Sequence, residues 1–100
     1  MVDFKRHLEE FPVEAILDER AATYGAFKDL ARVAVRLRRV ITEELRDRQK
    51  VLDPDMEEAL VMICTKVARV VNGDPASIDQ WRDVSGYAQL VADRLEGKIR

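Results

Sequence analysis

The stretch DPDMEEALVMICTKVARVVNG, Asp53 to Gly73, decides the fold. Asp53-Pro54 reads as the N-cap and first position of a helix, where proline's missing amide hydrogen has no partner to lose. Asp55, Glu57 and Glu58 follow in the first turn, where the helix dipole favours negative charge. From Ala59 to Val71 only Thr65, Lys66 and Arg69 are strongly polar. A helix apolar nearly all round is a central one, packed on several sides. Asn72-Gly73 stops it, glycine being the easiest residue to place beyond a helix end.

The neighbouring segments have the same character. Upstream, Phe27, Leu30, Ala34, Leu37, Ile41 and Leu45 recur at three- and four-residue steps, predicting a helix from about Ala26 to Gln49. Its other face holds Arg32, Arg36, Arg39, Glu43 and Arg46. Before it, Phe11-Pro12 opens a short helix with Val13, Ile16 and Leu17 on one face, closed at Tyr24-Gly25. Downstream, Asp74-Pro75 turns the chain, and Ser77-Ile78-Asp79-Gln80 fits a capping box. The fourth helix then ends near Gly97, with Trp81, Val84, Ala88, Val91, Ala92 and Leu95 as its core face. Asp79, Asp83, Gly86, Leu90 and Asp93 share the opposite face. No alternating β-branched run suggests a strand. The reading is all-α: one domain over residues 1–100, a bundle of about four helices.

Composition narrows the function. With 17 Lys and Arg against 19 Asp and Glu, the chain is not a generic cationic nucleic-acid binder. The charge is unevenly spread, at -3 over residues 1–27, +4 over 28–50 and -3 over 51–100. The basic stripe Arg32, Arg36 and Arg39 reads first as a solvated face. It could instead meet the acidic ends of another subunit or an anionic ligand; without interleaved aromatics it is a poor single-strand binder. Cys64 is the single cysteine, so no intrachain disulfide forms, and a reducing, cytoplasmic setting is expected. No apolar run is long enough to span a membrane, and MVDFKRHLEE has no signal-peptide core. The second and third helices carry more apolar surface than four short helices cover, which predicts a homo-oligomer.

Few residues suit chemistry. There is no phosphate-binding glycine loop and no C-x-x-C. His7 stands alone, and Cys64 lies in an apolar run and reads as an inert core thiol. Lys66 and Arg69, at i and i+3, share a face with Glu58 and Met62. Cations on a buried helix need partners. Two kinds are available: the carboxylates Asp79 and Asp83, which the short turn before Ser77 should bring back antiparallel, or a bound phosphate. Gly86, a helix-weakening residue, suggests that a neighbour or ligand approaches the backbone there. Tyr87, one turn beyond Asp83, suits either stacking on a base or capping the core.

The spaced set Glu19-Arg20, Tyr24-Gly25-x-Phe27, Met62-x-x-x-Lys66-x-Ala68-Arg69, Gly73 and Asp79-x-Trp81-x-Asp83-x-x-Gly86-Tyr87-Ala88 resembles a small helical domain of uncharacterised function common in phage and prophage genomes. The match spans residues 14–92, and its last block is the most distinctive. More distantly, the chain is similar to MazG-type all-α NTP pyrophosphohydrolases. Those enzymes bind Mg²⁺ with E-E-x-x-E on one helix and E-x-x-D on the next. Here the first motif reads Glu57-Glu58-Ala59-Leu60-Val61 and the second Gln80-Trp81-Arg82-Asp83, so Val61 and Gln80 stand where acids are expected.

The resemblance implies a dimer or tetramer that binds a nucleotide or other phosphorylated small molecule. Lys66 and Arg69 would hold phosphate, with Tyr87 and Gly86 at the base or sugar. Glu58, Asp79 and Asp83 would hold Mg²⁺, Glu58 and Asp83 being catalytic if NTP is split to NMP and pyrophosphate. A non-enzymatic protein that sequesters a nucleotide signal or a host protein is the alternative. A structural interaction module, with the four charges only a buried network, is the third reading.

Overall fold

A computed structural model of the chain describes residues 12–100. The fold is all-α, with 79% of the described residues helical and no strand among them. His7 and Phe11 lie outside the described residues. The helices are α1 (Val13–Tyr24), α2 (Phe27–Asp47), α3 (Pro54–Asn72) and α4 (Ile78–Leu95). None is long and apolar enough to cross a membrane.

The helix between Pro54 and Asn72 is the central element, as its apolar composition predicts. It packs against α2 on one side and α4 on the other. The α2–α3 seam is built on Leu30, Ala34 and Ala68, with Tyr24 and Val33 packed against it. Ala59 and Cys64 complete the buried apolar set. That core is small, and many large apolar side chains remain in water.

The α1–α2 and α3–α4 junctions lock together through backbone proximity. Asn72 donates from Nδ2 to the Tyr24 carbonyl (2.9 Å) and the Ala26 carbonyl (3.1 Å). The Asp74 amide donates to the Thr23 carbonyl at 3.1 Å. Gly73 faces the backbone of Thr23 and Tyr24 so closely that a Cβ would collide with both. Gly25 has φ 80°, a conformation that L side chains rarely adopt, and its missing Cβ makes room for Asn72.

Several local expectations are corrected. Trp81 is not core: 58% exposed, it donates from its indole Nε1 to the Pro75 carbonyl at 2.8 Å. Ala88, Ala92 and Leu95 are exposed too, so α4 is rotated from the expected face. It keeps Val84 and Val91 inward, as expected, and adds Gln80, Asp83 and Tyr87. The capping box does not form, because Ser77 makes no side-chain cap bond and Gln80 is buried, 2% exposed. Asp53 likewise caps no amide with its side chain; its carboxylate is taken by Arg94. Among the described residues no atom outside its own helix comes within 4 Å of a Cβ built on Gly86, so close approach of a neighbouring helix does not explain that glycine.

Candidate functional site

The α3–α4 seam carries the charged residues singled out from sequence. Lys66 is 9% exposed, and its Nζ lies 3.1 Å from Asp83 Oδ2. Arg94 of α4 grips Asp55 with a fork, Nε to Oδ2 at 2.8 Å and Nη2 to Oδ1 at 2.6 Å. The same Nη2 donates to Asp53 Oδ2 at 2.8 Å. Asp55 and Lys66 are three helical turns apart, and so are Asp83 and Arg94. The two pairs therefore belong to one antiparallel register. That register sets Arg69 level with Gln80, and Met62 level with Tyr87.

Arg69 and Gln80 are polar residues of the seam without complete partners among the described residues. The Arg69 guanidinium carbon sits 4.8 Å from the centre of the Tyr24 ring, a cation–π contact. Its Nε is buried and makes no hydrogen bond among the described residues, and neither does Gln80 Oε1. A buried donor and a buried acceptor therefore stand at the same level of the two helices.

The remaining sequence candidates are dispersed. Glu58 and Tyr87 border a cleft of about 330 Å³ between α3 and α4, together with Arg94 and the C-terminal residues Lys98 to Arg100. Asp83, Gly86 and Tyr87 line a shallower surface depression on α4. Asp79 is exposed in the first turn of α4. In the shared register Glu58 is level with Val91, two turns or about 12 Å along the axis from Asp83. Among the described residues no three of His, Cys, Asp and Glu converge as a metal-ion cage. Glu58, Asp79 and Asp83 are thus not gathered into one set within the chain.

Electrostatics follow the contacts. The Arg94 hydrogen bonds hold the Asp55 carboxyl below the usual carboxylate range, against the opposing effect of desolvation. Asp55 and Asp53 in turn push the Arg94 guanidinium pKa up. Burial pushes the Cys64 thiol up, as expected of an unreactive core cysteine.

Sequence reasoning missed the Asp53–Asp55–Arg94 cluster. It also missed the C-terminal hook. Gly97 at φ 87° turns the chain back, so the Lys98 amide donates to the Asp93 carbonyl at 2.8 Å, the six-to-one bond of a Schellman end. The hook sets Arg100 Nε 2.5 Å from Asp93 Oδ2, while Gln89 Nε2 donates to Asp93 Oδ1 at 2.6 Å. Asp93 is thereby buried by its own terminus. Glycine near a helix end followed by bases was the available signal.

A separate concavity lies at the other end of the α2–α3 pair. Ile41 and Leu45 of α2, Val51 of the connecting loop and Leu60 of α3 face a groove of about 520 Å³. Arg38, Arg46 and Lys50 stand around it, against one acid, Glu57.

No curated protein and no solved structure matches the chain. Residues 10–95 match the family described as Domain of unknown function (DUF6378), so the chain, over nearly its whole length, belongs to that family.

Proposed function

We propose that the chain is a non-catalytic helical interaction module whose charged seam holds its own helices in register. The supporting observation is the Lys66–Asp83 pair. A nearly buried ammonium ion 3.1 Å from a carboxylate is compensated from within and has no net charge left to offer a phosphate. The MazG-like reading gains little from the geometry. Of the two positions lacking acids, Val61 lines the apolar groove and Gln80 is buried. Glu58, Asp79 and Asp83 do not fit a Mg²⁺ site within one chain, because the ion takes several oxygens at about 2.1 Å and these carboxylates are spread along the seam. The resemblance to phage domains supports a setting inside a bacterial host cell, where the partner is a host protein or another copy of the chain.

One observation favours the second reading, binding of a nucleotide or nucleotide-derived phosphate. Arg69 Nε is buried and unpartnered among the described residues, beside the Tyr24 ring, on which a base could stack. Calorimetry with a panel of nucleoside triphosphates and cyclic nucleotides, with and without Mg²⁺, separates the two. The interaction module gives no heat with any of them. Saturable heat that disappears in Arg69→Met, with helicity retained, overturns it in favour of the ligand reading.

A further inference from the structure

Two features of the fold lack a counterpart among the described residues. The first is α1. No residue of it is buried, and Val13, Ile16 and Leu17, spaced as one apolar stripe, are 44%, 44% and 56% exposed. Beside the stripe stand Glu14, Asp18 and Glu19, against a single base, Arg20. The contacts described for α1 gather at Thr23 and Tyr24, leaving its first two turns overhanging. The second is the groove at the α2–α3 loop, with an apolar floor at Ile41, Leu45, Val51 and Leu60 and a basic rim at Arg38, Arg46 and Lys50.

We infer that this groove receives α1 of a second copy of the chain, in a reciprocal two-fold dimer. An apolar stripe at i, i+3 and i+4 laid into an apolar groove is an established mode of helix recognition. The flanking charges are complementary: acids on α1, bases on the rim. Topology makes the exchange reciprocal. α1 sits where α2 begins and α3 ends, tied there by Asn72, whereas the groove sits where α2 ends and α3 begins. Two α2–α3 pairs placed side by side and antiparallel therefore bring each α1 to the other's groove. Both contacts form under one two-fold axis, so the assembly closes at two instead of growing. The interface would cover Val51, now 95% exposed, and the overhanging stripe of α1. This inference rests on the interaction-module reading and names its partner as a second copy.

The test is the mass of the full chain in solution. Light scattering at about 50 μM should give twice the 11.5 kDa of one chain. Leu17→Asp on α1 and Val51→Asp in the groove should each halve that mass without loss of helical circular dichroism, since both side chains are already exposed. Reversing the rim with Arg46→Glu and Lys50→Glu should weaken association at least tenfold at low salt. Adding Glu14→Lys and Asp18→Lys should restore it, because the restored charge pairs link these surfaces specifically. A monomeric wild-type chain, or a dimer that survives both aspartate variants, overturns the inference. Neither result bears on nucleotide calorimetry, so the dimer and the interaction-module reading fail separately. A dimer lost in the aspartate variants but not restored by the second charge reversal also overturns the pairing of α1 with the groove.

Discussion

Arg94 and Asp55 meet through two parallel hydrogen bonds, 2.8 and 2.6 Å, from one end of α4 to the opposite end of α3 in sequence. Lys66 and Asp83 meet in the same register three turns away. One pair is open to water and the other half-hidden, so they serve the fold differently. The exposed fork sets alignment with little net stabilisation. The buried lysine makes misalignment costly.

Removing one partner of the inner pair should therefore hurt more than removing both. Asp83→Ala leaves the Lys66 ammonium nearly buried and unpaired, and should cost about 2 kcal/mol, below the full buried-pair penalty because Asp83 is partly wet. Lys66→Met combined with Asp83→Leu should fold within about 1 kcal/mol of wild type, as replacing a whole buried pair does. Urea midpoints at constant slope measure both.

The outer cluster predicts an acid-sensitive component. Asp55 has a folded-state pKa below its unfolded one. Its contribution is present above the ordinary carboxylate pKa of about 4 and is lost as pH falls through the lower, folded value. The stability difference between wild type and Asp55→Asn should thus shrink as pH drops from 5 to 2.5. A constant difference across that range would contradict the ion pair.

Gly73 should tolerate no side chain. Its Cβ would meet the backbone of Thr23 and Tyr24, which cannot swing aside as a flexible side chain can. Gly73→Ala should cost about 2 kcal/mol through overpacking. Asn72→Ala, which deletes the two bonds to Tyr24 and Ala26, should cost about 1 to 2 kcal/mol. Thermal unfolding of each variant checks the pair.

Gln80 offers the opposite outcome. Its Oε1 is buried without a partner, a position where an amide is held at a loss. Gln80→Met, similar in length and apolar, should leave stability unchanged or raise it by about 1 kcal/mol. A marked loss would mean that Gln80 is satisfied through Arg69 in solution.

Cys64 should react slowly. It is 5% exposed with a raised thiol pKa, so the native protein should take up a thiol reagent far more slowly than the urea-unfolded chain. Fast native labelling would place the cysteine at a surface.

The centrality of α3 was legible because Ala59 to Val71 holds only three strongly polar residues. The Lys66–Asp83 pairing was legible as one of two alternatives, because cations on such a helix require a partner and the short turn after Asn72 brings Asp79 and Asp83 back beside them, a bound phosphate being the other. The rotation of α4 was not. Trp81 has the largest apolar side chain of that helix, but its indole N–H needs an acceptor and finds one in the turn, at Pro75. Asp83 faces inward because α3 presents Lys66 to it, and hydropathy cannot reveal polar residues that seek each other. The Asp55–Arg94 fork needed the register, which follows only once one pair across the seam is fixed.

With α3 shared between α2 and α4, the two main seams join helices that follow one another directly in the chain. Only the bonds from Asn72 and Asp74 back to Thr23, Tyr24 and Ala26 wait for distant segments to meet, so the loop-closure entropy of the main seams is small. Such a chain has low contact order and belongs with domains that fold in microseconds to milliseconds. The order of events is set as well. α3 must be present before either neighbour has a surface to dock on, so substitutions along it should slow folding, while those on α1 should mainly quicken unfolding.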